Sequence, residues 1–204
     1  LRGGLYQGPG RQKLMSGLRL TDGGVYDNLG LEPVWQDHEL LLVSDGGAPF
    51  TPDGSTKFFT QLKRYFDITG NQGSSLRKRW LISNFKDGSL QGAYWGIKSA
   101  TANYGTGDSP GYPEELAEEI IAGVRTDFDA FSETEIGVLE NHGYLLAEAA
   151  IQSHLSEFMQ GEPVPLDIPH PEWMDPALAE GALEASGTRT ALGRGWSWRG
   201  ADKK

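Results

Sequence analysis

Cysteine is absent from the 204 residues, which excludes a disulfide framework and any thiolate metal site and fits a reducing compartment. No apolar run approaches the roughly 18 residues that a membrane-spanning helix needs. Positive charge is scarce: 18 Lys and Arg against 28 Asp and Glu leave a net charge of −10. Phosphate binding requires a basic face, so nucleic acid is excluded as the expected partner. The one basic cluster, Arg77-Lys78-Arg79, reads as a solvated helix surface. A secretory leader pattern is lacking, and the sole internal repetition is a duplicated Asp-Gly-Gly.

What is abundant is glycine, 28 residues, many of them in the first half as Gly-Gly and Asp-Gly pairs. Such pairs build turns and let backbones approach closely, as functional loops often require. The length suits one well-buried domain or a piece of a larger one. The opening run LRGGLYQGPGRQK has no core-like periodicity and starts at Leu1, so the expectation is a cut through a longer protein.

Periodicity outlines the elements. Residues 17–22 read as a short strand ending in Gly-Gly, and residues 39–45 as a clearer one. Four consecutive apolar residues in the second predict a strand buried on both faces, as in a parallel sheet. Asn28 to Gln36 is a short connection, with Asn28 placed to open a helical turn. From Thr56, Phe58, Phe59, Leu62, Tyr65 and Phe66 recur at helical spacing. A break is expected at Gly70 to Gly73, before Leu76, Trp80 and Leu81 resume the pattern. Leu90 to Lys98 alternates and predicts an edge strand, Gly105 to Tyr112 a loop, and Pro113-Glu114-Glu115 a helix start. Ser132-Glu133-Thr134-Glu135 is a capping box that launches an amphipathic helix toward Phe158. After Gly161 prolines accumulate, so residues 1–160 are read as the folded portion. Residues 161–204 are read as a loose tail, disordered past about Ala185. Trp196 and Trp198 fall in that tail.

Both predicted strands end in Asp-Gly-Gly, at Asp22 and at Asp45, and the carboxyl ends of strands in open α/β sheets are where ligands bind. Asp22 would take a proton from a serine hydroxyl only if burial raised its proton affinity. Taken alone, Asp-Gly-Gly is a turn whose aspartate bonds its own backbone. Asp45 reads as structural. Asp27 and Asn28 read as an Asx-type turn supporting the Asp22 loop. Asp37 and His38 fall in a surface turn, and His142 reads as a packed core histidine. Gly107-Asp108-Ser109-Pro110-Gly111 spells G-x-S-x-G but lacks the buried strand that a nucleophile elbow needs, so Ser109 reads as a loop residue.

The longer string LTDGGVYDNLGLEP (Leu20 to Pro33), followed by LLVSDGGAPF (Leu41 to Phe50), resembles the second half of bacterial patatin-like phospholipase domains. The strings RTDFDAFSETE and NHGY, between Arg125 and Tyr144, are similar to the same group, so the resemblance spans roughly residues 15–155. It implies a Ser–Asp dyad with Asp22 as the aspartate, Gly23, Gly24 and Asn28 supporting its loop, and acyl-ester hydrolysis without metal or other cofactor. The implied fold is a partial patatin-like three-layer α/β/α sandwich, mainly parallel, lacking the N-terminal nucleophile half with its glycine-rich oxyanion loop. The implied substrate is a lipid ester or phospholipid, met at a transient membrane surface by a protein that is cytoplasmic or peripheral to the membrane. On this reading these residues alone are inactive, and an uncovered sheet edge makes them poorly soluble. Two other classes stay open: a non-catalytic patatin-like scaffold binding lipid or protein, and metal-dependent hydrolysis through Asp22, Asp45 and His38.

Overall fold

The computed structural model describes residues 8–19, 22–47, 58–107, 109–124, 130–159 and 164–184. Two short helices, α1 (Arg11–Ser16) and α2 (Gly24–Asp27), precede strand β1 (Leu40–Asp45). Helix α3 (Phe58–Asp87) then crosses over to strand β2 (Gln91–Gly96). The strands pair in parallel, from Leu40 opposite Gln91 to Asp45 opposite Gly96. Parallel strands need such a crossover, because a tight turn cannot reverse the chain twice. The class is therefore α/β, with a parallel two-stranded sheet among the described residues.

Alternation along the strands decides what each face touches. Leu41, Val43 and Asp45 of β1 are buried, whereas Leu42 is 51% exposed. The expected burial on both faces is thus corrected to burial on one. That face packs with Leu31, Leu81, Trp80 and Phe85, joining the turns after α2 to the second half of α3. Each such aliphatic side chain contributes about 1.5–3 kcal/mol on burial. β2 is covered on both sides: Tyr94 lies in the α3 cluster, and Ala93 packs with Ala150 and Leu155.

Three further expectations change. Residues 17–19 form no strand, and residues 20–21 lie outside the described part, so Asp22 follows no strand among the described residues and instead precedes α2. Asn28 closes α2 rather than opening a helix. Helix α3 runs unbroken through Gly70 and Gly73 for 30 residues. Each interior glycine costs a helix only about 1 kcal/mol relative to alanine, less than the anchored second half supplies.

Helix α4 (Glu133–His154) begins as its sequence requires: the Glu135 N–H donates to Ser132 Oγ, and the Glu135 carboxylate accepts the Ser132 N–H. Before it, residues 114–115 open a helical turn that loosens into a π turn (Leu116–Ile120) and a 3-10 turn (Ile121–Gly123). Helix α5 (Pro176–Glu184) buries Ala179 and Leu183 against Tyr112, Leu116, Ile121 and Val138. From the described part of the proline-rich segment, Trp173, Met174, Ala179 and Leu183 therefore pack into the core, whereas Val164 is 85% exposed. Asn141 explains why, since its amide donates to His170 O at 2.6 Å and accepts the His170 N–H at 2.9 Å. Gly137 leaves room for Trp173, whose Cδ1 would lie 2.5 Å from an added Cβ. Residues 160–163 and 185–204, including Trp196 and Trp198, lie outside the described part. Among the described residues no helix is long and apolar enough to cross a membrane.

His142 ties α4 to the sheet: its Nε2–H donates to Ile97 O at 2.8 Å, and Ile97 N–H donates to Asp45 O at 3.0 Å. Burial pushes the imidazole below its ordinary value of 6.5, although the bond to Ile97 O pulls partly back. A depressed folded value means that the unfolded chain takes up the proton first. The stability that neutral His142 contributes is therefore complete above pH 6.5 and is lost as pH falls from there toward the folded value. We expect denaturant unfolding free energy to decline between pH 7 and 5 with a slope that His142→Gln reduces. An unchanged slope would remove His142 from the acid response. A second expectation concerns Gly92, at φ 156, where an added Cβ would sit 2.0 Å from Leu41 O across the strand pair. Gly92→Ala should cost about 3 kcal/mol or more, measured as a drop in the urea midpoint.

Candidate functional site

Asn28 is the point where the two Asp-Gly-Gly turns meet. A Cβ added at Gly24 would lie 2.8 Å from Asn28 Oδ1 and 2.9 Å from Asp22 Oδ1. One added at Gly47 would lie 3.1 Å from Asn28 Nδ2 and 2.9 Å from Asp45 Oδ1. The Asn28 amide thus presents its oxygen to the first turn and its nitrogen to the second. The two glycines keep open the space these polar groups share. Gly23, by contrast, has open space around it; its carbonyl accepts the N–H groups of Tyr26 and Asp27 and so starts α2.

The three carboxylates around this point differ in their partners. Asp22 is exposed, and its Oδ1 accepts the Gly24 N–H at 2.6 Å, the local turn that the motif alone predicts. Among the described residues it has no cationic partner. Asp27 is nearly buried, its Oδ2 accepting the Glu32 N–H at 2.7 Å and its Oδ1 lying 3.6 Å from Arg77 Nε. The Arg77 guanidinium also sits 5.1 Å from the Tyr26 ring centroid, close enough for a cation–π contact. Asp45, 7% exposed, is the most fully satisfied. Its Oδ2 pairs with Lys78 Nζ and accepts the Tyr94 hydroxyl at 2.7 Å, and its Oδ1 accepts the Gly47 N–H at 3.0 Å.

Electrostatics follow this geometry. Burial alone would push the Asp45 carboxyl up, but the hydrogen bonds from Lys78, Tyr94 and Gly47 and the Lys78 charge together hold it below the ordinary carboxylate range. Tyr94 is pushed up, first by burial and then by its bond to the Asp45 charge. Asp45 is consequently an ionised structural anchor.

The basic triplet is where the sequence reading fails. Arg77 and Lys78 are more than a solvated surface: although Lys78 stays 40% exposed, each is committed to an aspartate, one in the α2 loop and one at the end of β1. The signal was present as three adjacent cations following a strand and its Asp-Gly-Gly turn. Which acids they would meet depends on how α3 packs. Tyr94 was missed for the same reason, since only the strand register brings it beside Asp45.

The other sites stand as follows. His38 is exposed and its Nδ1–H donates to Val34 O at 3.0 Å, away from any pairing with Asp22 and Asp45. Among the described residues no group of three or more metal-ligating side chains converges. Ser109 follows a 3-10 turn (Thr101–Tyr104) and a glycine loop rather than a strand. Its hydroxyl lies 2.8 Å from Thr106 Oγ1 and 3.1 Å from Thr106 O.

Comparison with family models, with curated proteins and with solved structures finds no match for this chain.

A serine without a base or an elbow is not a nucleophile. We expect a fluorophosphonate probe to leave Ser109 unmodified at neutral pH, read by peptide mass mapping. An adduct at Ser109 would show that its loop is an active site after all.

Proposed function

We propose that this chain supplies the dyad aspartate of a patatin-like lipid acyl hydrolase, with Asp22 as general base. The observation that carries the proposal is the motif itself: Asp22-Gly23-Gly24 through Asn28, with a second Asp-Gly-Gly at Asp45 folded against it through the Asn28 amide. Such an arrangement suits a base. One Asp22 oxygen is fixed by the Gly24 N–H, which orients the carboxylate and leaves the other oxygen for a serine hydroxyl. Asp45 and Asp27 are already occupied by Lys78 and Arg77, so Asp22 is the acid of the three that has a proton-accepting role to fill.

In the reaction so assigned, the serine oxygen attacks an ester carbonyl as its proton passes to Asp22, and Asp22 returns that proton to the alcohol as it leaves the tetrahedral intermediate. Water deprotonated by Asp22 then hydrolyses the acyl-enzyme to release the acid and the serine. The serine and the oxyanion donors come from residues beyond these 204. The parallel strand pair with helices on both sides of β2 is compatible with a three-layer α/β/α architecture. The exposed Leu40 and Leu42 mark the face on which further layers would pack.

A second reading, a non-catalytic scaffold that binds lipid or protein, is favoured by the exposure of Asp22 and its bond to its own turn. The two part on one measurement. In the protein carrying its natural upstream sequence, fatty-acid release from phospholipid vesicles and from a short-chain nitrophenyl ester should fall by roughly 10²–10⁴-fold in Asp22→Asn, with the melting temperature unchanged. Undiminished turnover in that variant would remove Asp22 from the chemistry, and an inactive parent protein would leave the scaffold reading.

A further inference from the structure

Asp45 has no task in the proposed reaction, yet it is the most elaborately held carboxylate at the site. Its three partners come from α3, from β2 and from its own turn. Structural need alone does not account for a charge pair there. An apolar residue would serve a strand end as well, since a pair whose lysine is 40% exposed gains little net stability from its charges. What a charge pair provides is one defined orientation, and this one lies next to Asn28.

We propose that Lys78 is a positioning residue for Asp22, acting through Asp45, the Gly47 turn and Asn28. The inference rests on the reading of Asp22 as the base. Lys78 Nζ and the Tyr94 hydroxyl hold Asp45 Oδ2, and Asp45 Oδ1 holds the Gly47 N–H. Asn28 lies between that segment and the Asp22 turn: an added Cβ at Gly47 would be 3.1 Å from its Nδ2, and one at Gly24 would be 2.8 Å from its Oδ1 and 2.9 Å from Asp22 Oδ1. Arg77, one residue earlier on α3, fixes the other end of the same loop through Asp27. Adjacent helix positions point about 100° apart, so one turn of α3 spreads two cations across two loops and sets the distance between them. Lys78 also neutralises Asp45, which leaves Asp22 without an unpaired like charge at its side.

The test uses the full natural protein and four variants. Lys78→Met should lower kcat by about 10²-fold, as expected of a base shifted by an ångström, with KM unchanged. Lys78→Arg should recover most of that loss, because it keeps the charge within reach of Asp45. Adding Asp45→Asn to Lys78→Met should cost little more, since both act through one contact. Arg79→Met, on the same helix and without a carboxylate partner among the described residues, should match the parent. Amide hydrogen exchange supplies a readout that does not depend on turnover: Lys78→Met should accelerate exchange at Gly47 and Gly24 and spare the α4 core. Lys78→Met with parental kcat and parental Gly24 exchange would overturn the proposal, even where Asp22→Asn is inactive. If the parent itself hydrolyses no ester, the assignment of Asp22 as base fails, and exchange at Gly24 still decides whether Lys78 orders its loop. Loss of kcat in Lys78→Met with no recovery in Lys78→Arg and faster exchange throughout α4 would mean a merely structural lysine.

Discussion

The Lys78–Asp45–Tyr94 knot is the contact through which α3, β1 and β2 are held in one arrangement. Each member comes from a different element, and each is fixed by a different kind of force. The strand register places Tyr94 two positions before Gly96, the residue opposite Asp45, and so on the same face of the sheet. The apolar contacts of Leu81, Trp80 and Phe85 with Leu41 and Val43 set the rotation of α3 over the sheet. That rotation in turn decides that Lys78, and not Arg79, reaches the strand end. Burial provides the energy and the ion pair provides the register, because a hydrophobic face tolerates sliding that a lysine and a tyrosine hydroxyl converging on one buried carboxylate do not.

From this knot the rest of the site is built outward. β1 must end at Asp45 for the carboxylate to meet Lys78, and the chain must then turn sharply without a side chain in the way, which Gly47 permits. Asn28 occupies the space that turn leaves, and Arg77 closes the loop from the far side through Asp27 and the Tyr26 ring. The second half of the molecule is coupled to the same strand end by a separate route. Ile97 donates to Asp45 O and accepts from His142, so α4 reads the position of β1 through two backbone groups and one imidazole. That route runs through the His142 Nε2–H, which gives the buried ring its bond to the Ile97 carbonyl.

What was legible in the sequence was what local physics dictates. Ser132 and Glu135 cap α4 through bonds between residues three apart, and alternating or apolar runs mark β1 and β2 wherever they pair. The core position of His142 and the loop character of Ser109 were legible from their neighbours as well. Non-local consequences were not. The Gly70–Gly73 stretch looks like a break until the anchored half of α3 is weighed against it. The prolines after residue 163 look loose until Asn141, 29 positions before His170, bonds both its N–H and its carbonyl. Leu42 looks buried because four apolar residues in a row carry no record of which face has a neighbour. Arg77 and Lys78 look solvated because charge is ordinarily exposed.

The contrast among the three aspartates makes the functional point. Asp27 and Asp45 each hold a cation from α3, and among the described residues Asp22 holds only the N–H of its own turn. A fold that needed three turn caps would have no reason to treat them differently. Pairing two of them fixes the loops at both ends and removes their charge from the vicinity, which leaves the third oriented but chemically uncommitted. That is the condition a general base must meet: its geometry is settled by groups that do not compete for its proton-accepting oxygen. Here the backbone of Gly24 orients it and the glycine's missing side chain keeps Asn28 within reach of it, so the arrangement spends its polar partners on position and not on neutralisation.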